Sequence, residues 1–321
     1  MGSHALGVQN LHDAIHYTSI EPPRVQRDTR KSHISVDAKS AHPLLFVSDD
    51  KTYDVYIFSM PKLDLKGTLT GFNDPQGMCS DKYGNVWITN AEDYKVVQYS
   101  HSGTFLKSLT DRNGYPVGCA VNDSTGDLAV TNIFDQSGNA SVDVYADARG
   151  KPTVYSNATQ IENFFAAYDN KGDLYVDGFS SSGFSLSEIR SGSSKMKTLS
   201  ISGGTIYFPG GVNWSKATGL VIGDQDWNNA PESWQYALSV SGSTATITGS
   251  TPLTNYEGGA CDVDQGTISS SGNYFFGECA LITTANAGTV DQWTYPAGGA
   301  PVNYTTNVTS PIAAVISEMK K

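Results

Sequence analysis

Six positions in this chain place an oxygen-bearing side chain at the end of a short apolar run. They are Asp49, Asn90, Asn132, Asp224 and Glu278, with Asp177 one place early beside Gly178. Hard oxygen donors that converge on one axis suit Ca²⁺ or Mg²⁺. Asp and Asn at such a place also cap a strand-to-loop turn by bonding the backbone, and repetition in every copy favours that role. Asp49, Asn90, Asn132, Asp224 and Glu278 are the candidate metal ligands, and Asp224 and Glu257 the candidate nucleophile or base. Aromatic side chains fall in the same segments: Tyr94, Tyr115, Phe179, Tyr207, Phe208, Trp227, Trp234 and Tyr256. They would make a rim for a small molecule, a glycan or a protein, with Tyr94, Tyr115, Asp177, Trp227 and Tyr256 as ligand contacts, or they would fill gaps between packed sheets.

The chemistry is narrowed by what is scarce. Past residue 42 the one histidine is His101. A Ser-His-Asp hydrolase needs an imidazole beside the nucleophile, and a His-rich zinc site needs several. The other five histidines (His4, His12, His16, His33, His42) stand in residues 1–42, which lack periodicity and begin like an expression scar; this stretch reads as an irregular arm. The formal net charge of -11 argues against nucleic acid as a partner. No run of eighteen apolar residues occurs, so no helix is expected to span a membrane. Four cysteines and a Ser/Thr/Asn-rich composition point to an extracellular or periplasmic location. Cys261 and Cys279 flank one hairpin and are expected to be joined. Cys79 and Cys119, on neighbouring units, are expected to be buried core thiols, because packed sheets lie farther apart than a disulfide reaches.

What positions these residues is a repeat. PQGMCSDKYGNVWITN (75–90) is followed by PVGCAVNDSTGDLAVTN (116–132), NFFAAYDNKGDLYVDG (163–178) and PGGVNWSKATGLVIGD (209–224). Each holds an apolar strand, a turn built on Gly with Asn or Asp, and a second strand. Third strands follow at KVVQYS (95–100), SVDVYA (141–146), SLSEIR (185–190) and QYALSV (235–240), then fourth strands. Four strands in roughly 40–50 residues is the period of a β-propeller blade. A fifth copy, 258–280 and onward, leaves open whether ACDVD or QGTIS is its first strand. The sixth is split: SPIAAVIS (310–317) supplies the first strand, and residues 43–72 supply the other three. The expected fold is therefore an all-β, six-bladed propeller over residues 43–321, closed by strands from both chain ends. A pair of β-sandwiches would need no common period.

The pattern P-x-G-x-x-x-D-x-x-G-N-V-W-I-T-N with K-V-V-Q-Y resembles the NHL-repeat β-propellers. That resemblance implies a six-bladed ring and no single activity, since related propellers bind proteins, RNA or ligands and some are enzymes. It also implies that the loops after the second strand share the ligand face. The histidines that related propeller lyases and paraoxonase-like enzymes depend on have no counterpart here. Gluconolactonase-like propellers hold Ca²⁺ with Asp, Asn and Glu, and the YEGG segment with Glu257 is similar to their opening Glu-Gly-Pro, without the Pro. The expected function is a secreted or periplasmic binding module, monomeric, for a small molecule, glycan or protein. The alternative is a Ca²⁺-dependent hydrolase of lactones, esters or organophosphates.

Overall fold

The computed structural model describes residues 31–39, 43–111, 114–135, 139–225, 233–280 and 288–318. Short β-rich runs fold as antiparallel meanders. Their first turns close on glycines in the left-handed region, as at Gly84 (φ 78) and Gly172 (φ 83), where a side chain would be strained.

From inside to outside, one meander runs Pro75–Ser80, Val86–Asn90, Lys95–Tyr99, Phe105–Thr110. The next runs Gly114–Val121, Leu128–Asp135, Ser141–Tyr145, Thr153–Tyr155. Then come Gln160–Tyr168, Leu174–Ser180, Gly183–Ile189, Met196–Ser202, and after them Pro209–Ser215, Gly219–Asp224, Ser233–Ser241, Thr244–Leu253. The outer strands of these last two meanders pair in parallel, Ser200 opposite Thr244, so the two read as one eight-stranded sheet. Thr267–Ile268, Tyr274–Ala280, Gly288–Thr294 and Asn303–Thr305 form a further sheet, whose first strand lies in QGTIS.

The remaining sheet joins the two ends of the chain. Pro311–Ser317 pairs with Leu44–Asp49, followed outward by Asp54–Ser59 and Leu65–Leu69, and His33–Ile34 of the arm adds a fifth strand. Successive innermost strands lie against one another around an axis, and Pro311–Ser317 packs on Pro75–Ser80, so the sheets close a ring. Apolar side chains fill the wedges between sheets. Trp87 and Val96 meet Val130 and Tyr145 in one wedge, and Leu45 and Phe58 meet Phe276 and Val290 in another.

Both cysteine pairs are joined. Cys261–Cys279 is the expected bridge, with Cα atoms 5.1 Å apart. Cys79–Cys119 corrects the expectation of two free thiols: the Cα atoms are 5.5 Å apart and the sulfurs are bonded. Sheets stand about 10 Å apart where faces pack, but innermost strands converge on the axis. A Cβ on Gly77 would meet the Val117 carbonyl oxygen, so glycine lets these two strands approach to bridging distance.

Candidate functional site

The six oxygen-bearing residues all stand buried in second strands, Asp49, Asn90 and Asp224 as the last residue and Asn132, Asp177 and Glu278 two or three residues before it. Most of their oxygens are taken by backbone N–H groups of the segment entering the innermost strand of the same sheet. Asn90 Oδ1 accepts from Asn73 (2.6 Å) and Asp177 Oδ1 from Phe165 (2.7 Å). The two oxygens of Asp224 accept from Tyr207 and Phe208 (2.9 Å each). Glu278 Oε1 accepts from Gln265 (2.7 Å), and Asp49 Oδ2 from Thr309 (2.7 Å) and Ser310 (2.9 Å). Asn132 differs, donating to Ser141 Oγ (3.2 Å) and, at 3.4 Å, to Asp111. Innermost strands carry register shifts, and Phe165 lies inside the one between Asn163 and Ala166, where the ladder gives its amide no partner. The carboxylate replaces the missing acceptor.

A second set of carboxylates lies nearby and shares Glu278 with the first. Asp74 (φ 65) accepts from Gln76 Nε2 and from the Tyr115 hydroxyl, both at 2.6 Å. The same hydroxyl lies 3.1 Å from Glu92 Oε1, and a phenol has one proton for the two carboxylates. Burial, offset by those hydrogen bonds and reinforced by Glu92, raises the Asp74 pKa. Asp50 is raised by burial, against a hydrogen bond from Ser310, with Asp49 and Asp74 adding to the rise and Lys51 opposing it. Asp264 is pushed up to about 7 by burial and by Asp50. Burial and then Asp264 hold both Asp262 and Glu278 well above the usual carboxylate range. Glu278 Oε2 and Asp262 Oδ1 are buried with no hydrogen-bond partner. The line Glu92–Asp74–Asp50–Asp264–Asp262/Glu278 is thus a string of carboxylates in one another's field. Among the described residues the ion pairs Lys95–Asp93, Arg149–Asp147 and Arg190–Glu188 involve none of them.

These acids do not gather tightly. Among the described residues, the group of three His, Cys, Asp or Glu ligand atoms within 4.8 Å of one another is Cys261, Cys279 and Asp291, where the sulfurs are already bonded to each other.

No protein-family model and no curated protein matches this chain. Solved structures do. TolB from Acinetobacter baumannii superposes with a TM-score of 0.63 at 13% identity, covering 87% of this chain and 67% of that one. A protein of unknown function from Bacteroides caccae gives 0.63 at 11% identity, covering 86% and 99%. A functionally unknown protein from Desulfotomaculum acetoxidans gives 0.55 at 9%, covering 87% and 99%. At such identities the likeness speaks for the fold alone. The chain is a β-propeller.

In the propeller the predicted ligand contacts separate. Tyr115, nearly buried, meets Tyr94 edge-on (6.1 Å) and stacks on Phe134 (5.6 Å), beside the acidic string. Phe179 and Phe208 are buried and pack edge to face at 5.0 Å, filling the space between sheets, with Asp177 close by in sequence. Tyr256 stacks on Tyr304 of the outermost strand (4.4 Å), next to exposed Glu257. Trp227 lies outside the described residues. Sequence reasoning passed over Asp50, Asp74, Glu92, Asp262 and Asp264. The signal was present in the segments DDKTY, FNDP and NAEDY, expected on the ligand face, and in ACDVD, weighed as a first strand, in a chain of net charge -11.

Gln265 bridges the converging innermost strands near the axis. It reaches Met78 with both side-chain ends, accepting from its N–H (2.9 Å) and donating to its carbonyl (2.8 Å), while Ala314 N–H bonds the Gln265 carbonyl (2.8 Å). Beside this bridge, on the face that carries the first-to-second-strand turns, lies a cavity of about 460 Å³.

Proposed function

We propose that this propeller is a binding module with six blades, the eight-stranded sheet counting as two, related to the NHL-repeat rings and working outside the cytoplasm. The two disulfides support that location. Its ligand at the mouth is a small organic cation carrying more than one ammonium group.

The observation that carries this reading is the string from Glu92 to Glu278. Of these acids Glu278 is fully buried, Glu92, Asp74, Asp262 and Asp264 are half-buried and Asp50 is exposed beside Lys51. Carboxylates crowded and partly desolvated in this way hold protons or attract positive charge. A single metal ion needs donors gathered around one point, and these acids are not gathered within 4.8 Å in threes. An extended polyamine spans such a line, and exposed Tyr53, in the field of Asp74, Asp50 and Glu92, offers a ring face to its charge. Calorimetry with spermidine at low salt tests the reading. Binding should weaken about tenfold in Asp74→Asn and in Asp264→Asn, and fall steeply with added salt. Absence of spermidine binding would overturn it.

A second reading has its own support. The Asp264 carboxyl, pushed up to about 7 beside the unpartnered Glu278 Oε2, falls in the range of a general acid or base. This is the Ca²⁺-dependent hydrolase reading. Asp224 spends both oxygens on backbone amides, so the chemistry would fall to Asp264 and Glu278. One Ca²⁺ per chain in the same calorimeter, lost in Asp264→Asn, would favour it.

A further inference from the structure

We propose that the cavity on the opposite face is a second binding site, for a neutral polyhydroxylated ligand of mono- or disaccharide size. Its volume of about 460 Å³ lies within the roughly 300–1,000 Å³ of small-molecule sites. The space exists because the converging innermost strands carry small side chains there, Ser80, Ala120 and Ala166 among them. The Cys79–Cys119 bridge ties two of those strands together in the cavity wall. Gln265, held at both ends by Met78, belongs to the lining.

The lining chemistry selects the ligand. Among the described residues the lining holds no Lys or Arg, while Asp123 and Asp169 belong to it, so phosphates and carboxylates meet like charge there. Asp169 Oδ1 is engaged by the amides of Lys171 (2.8 Å) and Asp173 (2.9 Å), which ties that oxygen to the turn rather than to a ligand's charge. Half-buried Trp214 and Tyr168 supply flat apolar surface. At the rim exposed Asn170 supplies a donor and an acceptor, and exposed Ser124, whose hydroxyl donates to Asn122 Oδ1 (2.6 Å), supplies an acceptor. Flat rings beside neutral amide and hydroxyl groups match a sugar, whose C–H face is apolar and whose edge is a row of hydroxyls. A fully apolar ligand would strand the polar rim, and a strong cation would find better company at the acidic mouth.

The test is calorimetry on the full chain with glucose, galactose, mannose, maltose and cellobiose. At least one should bind, about fivefold more weakly in Asn170→Ala, the loss of one hydrogen bond, and more weakly again in Trp214→Phe. Asn170 is exposed, so its variant should fold even if the Trp214 variant does not. Asp74→Asn at the mouth should leave sugar binding unchanged. No heat with any of the five sugars overturns the proposal. So does binding that survives Asn170→Ala and is lost in Asp74→Asn, or a cavity that answers to spermidine through Asp123→Asn instead. Because the two sites use different residues, failure here leaves the cation reading of the mouth standing, and the reverse holds.

Discussion

At the scale of single residues, the number of amides to be satisfied accounts for much of the choice between Asp and Asn at these second-strand positions. Asn90 accepts one backbone N–H and uses its own amide to reach Asp93 (3.0 Å). Asp224 accepts two, one on each oxygen, and Asp49 takes four backbone amides. Asp177 departs from the rule, since Oδ1 accepts one amide and Oδ2 has no partner. Asp224→Ala would strand the amides of Tyr207 and Phe208, and leaving buried donors without acceptors costs about 1–3 kcal/mol each. The expected loss in urea denaturation is about 3 kcal/mol, with Asp224→Asn between it and the parent. A loss below about 0.5 kcal/mol would show that the latch does not support the fold.

At the scale of elements, what was legible followed from periodicity, and what was missed followed from contacts between units. The meander strands and the split sheet are visible in the sequence because alternation and turn glycines are local. The Cys79–Cys119 bridge was missed because the spacing of faces was applied to strands near the axis, where Gly77 permits closer approach. The acids of the mouth were missed because they are spread over four segments separated in the chain, which meet only when the ring closes. Nor does alternation announce the strand His33–Ile34, two residues long, whose seat is made by glycines elsewhere. A Cβ on Gly103 would collide with the Ile34 side chain, and one on Gly67 would touch the His33 carbonyl oxygen. Gly103 also has φ 70, which adds strain to any substitution. Gly103→Ala should therefore unseat the arm: amides around Ile34 should exchange faster with solvent and the arm should be cleaved earlier by protease, while the ring melts within a few degrees of the parent. Unchanged exchange at Ile34 would mean that the arm is not held by this notch.

At the scale of the whole molecule, the burial of so many acids makes stability depend on pH in an uncommon direction. Asp264 and Asp291 are both pushed up to about 7, chiefly by burial, from an ordinary value of 3.8. The folded chain therefore keeps protons that the unfolded chain releases, and stability from these groups is full below 3.8 and is lost as pH rises through about 7. The net charge of -11 acts in the same sense, because self-repulsion grows as the remaining carboxyls ionise. The melting temperature should fall from pH 5 towards pH 7, where the folded chain still holds protons that the unfolded chain has released, and level off by pH 8. Asp264→Asn should flatten the fall, since an amide holds no proton to lose. Spermidine should raise the melting temperature more at pH 8 than at pH 5, because a cation replaces the departing protons only once they have gone. A melting temperature that rises with pH would mean that these carboxyls are ionised in the folded protein with partners of their own. The string of acids would then be part of the framework, and the mouth would have no reason to attract positive charge.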